Sequence, residues 1–82
     1  MYYVYILKNL LDSKVYIGFT EDLRRRIKEH SSKRNKKFEL IYYEAYKAKN
    51  DALLREKRLK YYGKALGQLK RRIKNSLIIV KP

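Results

Sequence analysis

Cysteine is absent from this chain of 82 residues, and that absence removes several classes of protein at once. Without thiols the chain has no disulfide framework, no zinc finger and no thiol chemistry. It also lacks an apolar run that could cross a membrane, since a span needs about 20 consecutive apolar residues. The start, MYYVYILKN, has no charged leader before its short apolar run, so we expect no signal peptide and a cytoplasmic location.

Acidic side chains are also scarce. Asp and Glu number 8 against 22 Lys and Arg, which gives a formal net charge of +14. Such an excess indicates a polyanionic partner, most often nucleic acid. A surface tuned for solubility or heat is an alternative, although high temperature tends to enrich Glu together with Lys. A membrane surface fits less well, because the basic residues are spread along the chain instead of lining one amphipathic helix.

The spacing of apolar residues predicts a small sheet. The chain shows no internal repeat, linker or low-complexity segment, so we expect a single domain over residues 1–82. Alternating apolar residues predict two strands, 2–8 and 14–20, joined as a β-hairpin. A third strand is expected over 37–45. Its even-numbered residues should share one face: Phe38, Leu40 and Tyr42.

Two helices are predicted around the third strand. Thr20 is a suitable N-cap for a helix over 21–30. The second helix should run over residues 52–62 with Asn50 or Asp51 as its cap, and Gly63 should end it.

The C-terminal part predicts one more helix. Residues 64–74 carry apolar side chains at helical spacing and a basic opposite face. The apolar cluster 77–80 is expected to form a short strand or coil. The element order is therefore ββαβαα, an α/β (α+β) domain with a mainly antiparallel three-stranded sheet covered by helices.

Five residues stand out as candidates for chemistry. Tyr5 and Tyr16 occupy matched strand positions where Val, Ile or Phe is usual, and Gly18 should leave open space beside Tyr16 for a ligand or another backbone. Arg26 and His30 are four residues apart on one flank of the first helix. A further candidate, Glu56, lies beside the apolar stripe of the second helix, where a carboxylate is costly unless it is paired or binds a cation.

Each candidate also has a simpler explanation. Tyrosines fill space in small sheets or stack on bases. Arg26 could be part of a solvated basic run, and His30 could favour the negative end of its helix. Glu56 could form an ion pair with Arg55, Lys60 or an arginine of the first helix.

The ordered spacing of these residues resembles the GIY-YIG nuclease domain over nearly the whole chain. The second family motif is intact as Tyr16-Ile17-Gly18, whereas the first appears as Tyr3-Val4-Tyr5, with only the tyrosine kept. The family arginine lies ten residues after the second tyrosine, which selects Arg26, and His30 matches a histidine found in many members. The segment REKRLK places Glu56 where the family has its metal-binding glutamate. The chain most resembles the small stand-alone bacterial members of the family. It is also similar to the nuclease domain of the UvrC excision-repair subunit.

The resemblance implies a metal-dependent DNA endonuclease, with RNA not excluded, and a role in repair or recombination. Glu56 would hold Mg²⁺ or Mn²⁺, and Arg26 would stabilise charge on the phosphate. Either Tyr5 or Tyr16 would take a proton from the attacking water, and we favour Tyr5, whose phenolate a nearby cation and arginine would stabilise. His30 would bind the phosphate or assist proton transfer. A protein partner could direct the domain to its substrate, but nothing in the sequence identifies one.

Basic residues would supply affinity without reading bases, so cleavage should be structure-selective or weakly sequence-selective. Gly18 would leave room for the phosphate backbone. The basic candidates lie in the first helix, the loop after it and the last helix: Arg24, Arg25, Lys33, Arg34, Lys36, Lys37, Lys70, Arg71, Arg72 and Lys74.

The C-terminus departs from the family pattern. Many members have a supporting asparagine there, and the ending LIIVKP has none. Phe19 also stands where some members have a lysine. These departures keep a second hypothesis open, a nucleic-acid binding module without catalysis. A small RNA-associated protein fits the composition but gives no reason for the ordered Tyr, Arg and Glu positions.

Overall fold

The computed structural model describes residues 1–31 and 37–78. Its elements follow in chain order: β1 Tyr2–Asn9, β2 Val15–Thr20, α1 Leu23–Ser31, β3 Phe38–Tyr46, α2 Lys49–Tyr61, α3 Gly63–Arg72 and α4 Lys74–Leu77. The predicted order ββαβαα is confirmed, with one short helix added after it. None of the helices in the described ranges has the length and apolar character needed to span a bilayer.

Within the described ranges the sheet has three antiparallel strands in the order β2-β1-β3, as predicted. The central strand, β1, is buried on both faces, because Val4 and Ile6 point to one side while Tyr5 and Leu7 point to the other. We call these the core face and the Tyr5 face. A strand covered on both faces was expected from its continuous apolar and aromatic run.

The core face carries α2 and α3. Val4 and Ile6 pack into one cluster with Ala52 and Leu59 of α2 and Leu69 of α3. Each of these side chains is at most 2% exposed. Full burial of one large aliphatic side chain contributes about 1.5–3 kcal/mol, so this cluster is the main source of stability.

The Tyr5 face carries α1. Leu23 and Ile27 of this helix line one groove together with Tyr3 and Tyr43 of the sheet, and His30 reaches Tyr5. The sheet therefore lies between α1 on one side and the α2–α3 pair on the other.

A register shift in β3 changes which side chains share a face. Ile6 pairs with Tyr42, whereas the next residue, Leu7, pairs with Leu40, so Ile41 is an extra residue opposite β1. Such a bulge reverses the alternation of side chains on the strand that contains it.

The predicted face pattern of β3 is therefore wrong. Phe38 and Leu40 lie on the Tyr5 face, but Tyr42 lies on the core face with Ile6. Alternation of residues in the sequence cannot reveal an inserted residue, and one residue is enough to move a side chain to the other side of a sheet.

Two helix starts also differ from prediction. Helix α1 begins at Leu23, and Asp22 caps it by accepting a hydrogen bond from the Arg25 amide at 3.0 Å, in place of the expected Thr20. The Thr20 hydroxyl accepts from the Asp22 amide, which shapes the turn before the helix. Helix α2 begins at Lys49 with Ala48 as its cap and no side-chain cap bond, so Asn50 and Asp51 lie in its first turn.

The remaining boundaries shift by a few residues. Helix α2 ends at Tyr61, and Gly63 begins α3 instead of ending α2. Leu77 ends the four-residue helix α4, so a strand beginning there is wrong. The rest of the predicted 77–80 segment lies outside the described residues after Ile78.

Candidate active site

Tyr5 is the centre of the candidate site. It is 3% exposed and lies opposite Gly18 in the antiparallel pair of β1 and β2. A Cβ atom at Gly18 would overlap the hydroxyl and ring of Tyr5, with the Tyr5 Cε2 atom only 2.9 Å away. The predicted open space at Gly18 is therefore filled, because the Tyr5 ring lies across it. Glycine at this position is a requirement for the placement of the tyrosine.

His30 brings the end of α1 to the same hydroxyl. Its Nε2 atom lies 3.3 Å from the Tyr5 hydroxyl oxygen, and the two rings meet edge to face at 64°. A neutral imidazole nitrogen either donates or accepts here according to its tautomer. The contact therefore joins the strand and the helix at the Tyr5 hydroxyl.

The electrostatic surroundings of Tyr5 gather three more side chains. Burial raises the pKa of Tyr5 above its ordinary value, and Arg26 opposes this through its charge and a hydrogen bond. The carboxylate of Glu56 also raises the pKa of Tyr5, while the Lys60 ammonium lowers it. Side chains of α1 and α2 thus influence the pKa of one phenol on β1.

Arg26 and Lys60 favour the Tyr5 phenolate, as expected, but their effect is smaller than that of burial. The pKa of Tyr5 is raised, because desolvation of the buried ring outweighs the effect of Arg26. The phenol is therefore protonated at neutral pH in the chain alone.

Arg26 is paired with a carboxylate of its own helix. Its Nε atom is buried and makes no hydrogen bond within the described ranges. It lies 3.2 Å from Oε1 of Glu29, close enough for an ion pair, but that geometry is not a hydrogen bond. The Arg26 side chain as a whole is 41% exposed, so part of it is open to a ligand.

Glu56 forms an ion pair and also lies near the candidate site, so neither of the roles that the sequence left open, ion pair or cation ligand, excludes the other. Its side chain is 19% exposed, and Oε2 lies 3.1 Å from the Lys60 Nζ atom, so one of the expected ion pairs is present. The same carboxylate also influences Tyr5. The ion pair therefore lies beside the candidate site.

The donor set around Glu56 fits a magnesium ion held by one carboxylate. The described residues contain no group of three or more His, Cys, Asp or Glu that could enclose a metal. Mg²⁺ is commonly bound through one or two carboxylates and keeps several water ligands, so it does not require such a group. Binding a cation would compete with Lys60 for the carboxylate.

Tyr16 occupies a more open position than Tyr5. It is 43% exposed and pairs with Leu7, whereas Tyr5 pairs with Gly18. The two tyrosines therefore do not lie directly opposite one another across the hairpin. They are diagonal neighbours on the same face of the sheet.

Phe38 connects Tyr16 to the site. Its ring contacts Tyr16 with centroids 5.5 Å apart and His30 with centroids 5.4 Å apart. With Tyr5, these rings form a continuous aromatic row along the Tyr5 face. The sequence did not indicate a role for Phe38, because only the bulge at Ile41 moves it to this face.

A second cluster, missed in the sequence, ties α2 to β3. Glu44 accepts hydrogen bonds from Arg55 Nε at 2.9 Å and Nη2 at 3.0 Å, from the Tyr42 hydroxyl at 2.5 Å, and from the Tyr46 hydroxyl. A signal was present, since Tyr42, Glu44 and Tyr46 alternate on one strand and must share a face. The residue after Arg55 is Glu56, so this cluster fixes the segment that carries the candidate metal ligand.

The predicted basic residues do not form one surface. Arg24 and Arg25 are exposed on α1, while Lys70, Arg71 and Arg72 are exposed on α3, which lies on the other side of the sheet. The other predicted contacts divide into two groups. Lys37 and Lys74 are exposed, and Lys33, Arg34 and Lys36 lie outside the described residues.

Comparison with known proteins identifies the family. The GIY-YIG catalytic domain matches residues 1–65. The chain is 32% identical over 68 residues to a UPF0213 protein of Haloquadratum walsbyi, covering 74% of this chain and 75% of the relative. It is 34% identical over 68 residues to one of Staphylococcus epidermidis, covering 74% and 82%. No solved structure matches. The chain therefore belongs to the GIY-YIG family, whose domain is a nuclease-type catalytic domain.

Proposed function

We propose that this chain is a metal-dependent endonuclease that hydrolyses phosphodiester bonds in DNA, with structure-selective or weakly sequence-selective cleavage. The observation that carries the proposal is the buried hydroxyl of Tyr5, which contacts His30 and whose pKa is influenced by both Arg26 and Glu56. Family membership supports a nuclease reaction for this arrangement.

Arg26 would stabilise the phosphate in the transition state. Hydrolysis develops negative charge on the phosphoryl oxygens, and a guanidinium with its fixed fork of donors suits that charge. The Arg26 side chain is 41% exposed, so it would be able to reach a phosphate beside Tyr5.

Tyr5 would manage the proton of the attacking water. Because burial raises its pKa, the phenol is protonated at neutral pH, and it must lose that proton before it acts as a base. The His30 Nε2 atom at 3.3 Å would receive the proton in one tautomer. Arg26 would then stabilise the phenolate that remains.

Glu56 would hold the metal ion. A divalent cation at this carboxylate would polarise the phosphoryl oxygens and help the leaving oxygen to depart. Lys60 would move away from Oε2 when the cation binds, and its ammonium would then add positive charge near the phosphate.

A cleavage assay with the Glu56→Ala variant tests the proposal. We expect the wild-type chain to cut labelled duplex, flap or four-way-junction DNA with Mg²⁺ or Mn²⁺, and EDTA to stop the reaction. The variant should lose at least about a hundredfold in rate. Its binding should stay equal or become tighter, because a negative charge near the DNA is removed.

The stability of two variants distinguishes a metal ligand from a purely structural ion pair. If Glu56 serves only to pair with Lys60, Glu56→Ala and Lys60→Ala should lower the melting temperature equally. A folded Glu56→Ala variant that does not cleave, together with a fully active Lys60→Ala variant, would contradict a purely pairing role and support the metal role. An unfolded Glu56→Ala variant would instead assign Glu56 to a structural ion pair.

A nucleic-acid binding module without catalysis is the second candidate function. The Lys60–Glu56 ion pair, the raised pKa of Tyr5 and the net charge of +14 favour it. Tight binding to every DNA probe with no metal-dependent cutting would select this function over the endonuclease.

A further inference from the structure

A basic groove lies at the end of the β1–β2 hairpin, beside α3. Its volume is about 440 Å³, and the cations that line it are Lys8, Lys14 and Lys70. Tyr16 and Leu77 complete its walls, and none of the described residues lining it is acidic. A space of this size falls in the range of small-molecule sites and would accommodate a nucleotide unit.

The charge of the groove favours an anionic occupant. Ammonium groups that share one recess repel one another, and an anion between them removes that repulsion. Lys8 donates to the Leu77 carbonyl at 2.5 Å, so its ammonium is held in place at the edge of the groove. Lys14 and Lys70 are exposed and are free to turn toward a ligand within the described surface.

The hairpin loop holds Lys14 in a defined position. The Asn9 amide donates to the Lys14 carbonyl at 2.8 Å, and the Lys14 amide donates to Oδ1 of Asp12 at 2.9 Å. Ser13 adopts a left-handed conformation with φ of 63°, and its amide donates to the Asn9 carbonyl. A loop fixed by these bonds presents its lysine at a small entropic cost.

Tyr16, on the edge strand β2, links the groove beside α3 with the candidate active site on the other side of the sheet. Tyr16 lines the groove, its ring contacts Phe38, and Phe38 contacts His30 beside Tyr5. A strand whose reacting phosphate lies at Tyr5 would pass along this aromatic row and reach the groove with its next phosphates.

We propose that this groove, with Lys14 and Lys70 as its main cations, binds the phosphodiester backbone of the nucleic-acid strand that flanks the reacting phosphate. The exposed ring of Tyr16 offers a surface on which a base of that strand stacks. The path of the strand, from a reacting phosphate at Tyr5 to the groove, rests on the proposed function. The binding itself does not depend on cleavage.

The test compares two double variants that remove the same charge. Lys14→Gln with Lys70→Gln changes the groove, whereas Lys47→Gln with Lys49→Gln changes two exposed lysines beyond Tyr46, at the opposite end of the sheet. Binding to a labelled DNA duplex is measured by fluorescence anisotropy in EDTA over a series of salt concentrations. Each phosphate contact contributes about 0.9 to the slope of log affinity against log salt.

We expect the groove variant to bind more weakly, with a slope smaller by about 2, and the control variant to keep a nearly wild-type slope. Equal changes in both variants, or no change in the groove variant, would overturn the proposal. Because the assay contains EDTA, a wild-type chain that binds but never cuts would refute the proposed endonuclease and leave the groove result valid.

Discussion

At the scale of single residues, the placement of Tyr5 depends on the absence of a side chain at Gly18. The tyrosine ring occupies the volume that a Cβ atom would take, and this allows the hydroxyl to lie near His30. The Gly of the Tyr-Ile-Gly motif therefore positions the Tyr of the other motif. The described structure contains no glycine with positive φ, so packing and not backbone conformation explains its use.

Replacement of Gly18 by Ala should displace the Tyr5 ring. We expect a loss of about 1–3 kcal/mol in the free energy of unfolding, because an added methyl group has no room in the packed site. Cleavage should fall by at least about tenfold, since the phenol moves away from its partners. Thermal melting and cleavage rates measure both effects.

Gly67 provides the matched control, because apart from its chain neighbours and the nearby backbone of its own helix no atom lies within 4 Å of the position that a Cβ atom would take there. It is exposed inside α3, where alanine is favoured over glycine in a helix by about 0.5–1 kcal/mol. Gly67→Ala should therefore raise the melting temperature without changing cleavage. Destabilisation of both variants by the same amount would contradict the packing explanation.

The sequence allowed most of the candidate site to be predicted because its spacing fits helical and strand periods. The four-residue interval from Arg26 to His30 matches one helical turn, and the two side chains do reach Tyr5 from the same helix. The state of the Tyr5 hydroxyl was not predictable, since it depends on burial by residues distant in the chain. The functional roles of the candidate site residues stay predictions.

At the scale of elements, the bulge in β3 organises both sides of the sheet. Before Ile41 the even-numbered residue Phe38 lies on the Tyr5 face, in the aromatic row. After Ile41 the even-numbered residue Glu44 lies on the core face. The existence and order of the strands followed from alternation, but the bulge did not, because no local signal marks the extra residue. Helix α2 is held against this strand by Arg55 and Glu44.

The Glu44 cluster should make stability depend on pH. Burial alone would raise the pKa of Glu44, but hydrogen bonds from Arg55, Tyr42 and Tyr46 outweigh it and hold the pKa below its usual value. A carboxyl with a lowered pKa stabilises the fold fully above its unfolded value of about 4.3, and this stability is lost as pH falls through the folded value. Urea unfolding at several pH values measures the loss.

The Glu44→Gln variant isolates this contribution. It should be less stable than wild type at pH 7 by about 1.5–3 kcal/mol, because hydrogen bonds to a charged group are lost, and the difference should shrink in acid. A difference that stays constant down to low pH would contradict a role for the ionised carboxylate.

The same cluster predicts an alkaline limit. Burial, together with the neighbouring Glu44, raises the pKa of Tyr42 and Tyr46 to about 12. Stability from these neutral phenols is complete below about pH 10 and is lost as pH rises toward the folded values. The Tyr42→Phe variant should lose less stability than wild type between neutral pH and pH 11 in the same urea measurements. Equal losses would exclude this coupling.

At the scale of the whole molecule, the candidate site lies on one face of the sheet, whereas basic side chains lie on both sides of it. The net charge of +14 was evident from composition, but its distribution on α1 and α3, on opposite sides of the sheet, was not. Charge spread in this way attracts a polyanion from many directions, and the groove and the aromatic row would then align it.

Binding to DNA should therefore depend steeply on salt. If six or more phosphates are neutralised, affinity should fall by about 10³ or more between about 50 and 200 mM salt. Anisotropy titrations on duplex and single-stranded DNA measure the slope, with a duplex of scrambled sequence as the control for base reading. A flat response would exclude a binding mode based on phosphate contacts.

The most direct test of the account removes one oxygen atom from the site. Tyr5→Phe keeps the ring that packs over Gly18 but removes the hydroxyl near His30, and Tyr61→Phe makes the same change on a ring that is 74% exposed. The measurement is the initial rate of Mg²⁺-dependent DNA cleavage by wild type and both variants. The account predicts that Tyr5→Phe loses about 10²–10⁴-fold in rate with binding unchanged, while Tyr61→Phe cleaves like wild type. Cleavage by Tyr5→Phe at the wild-type rate would contradict it.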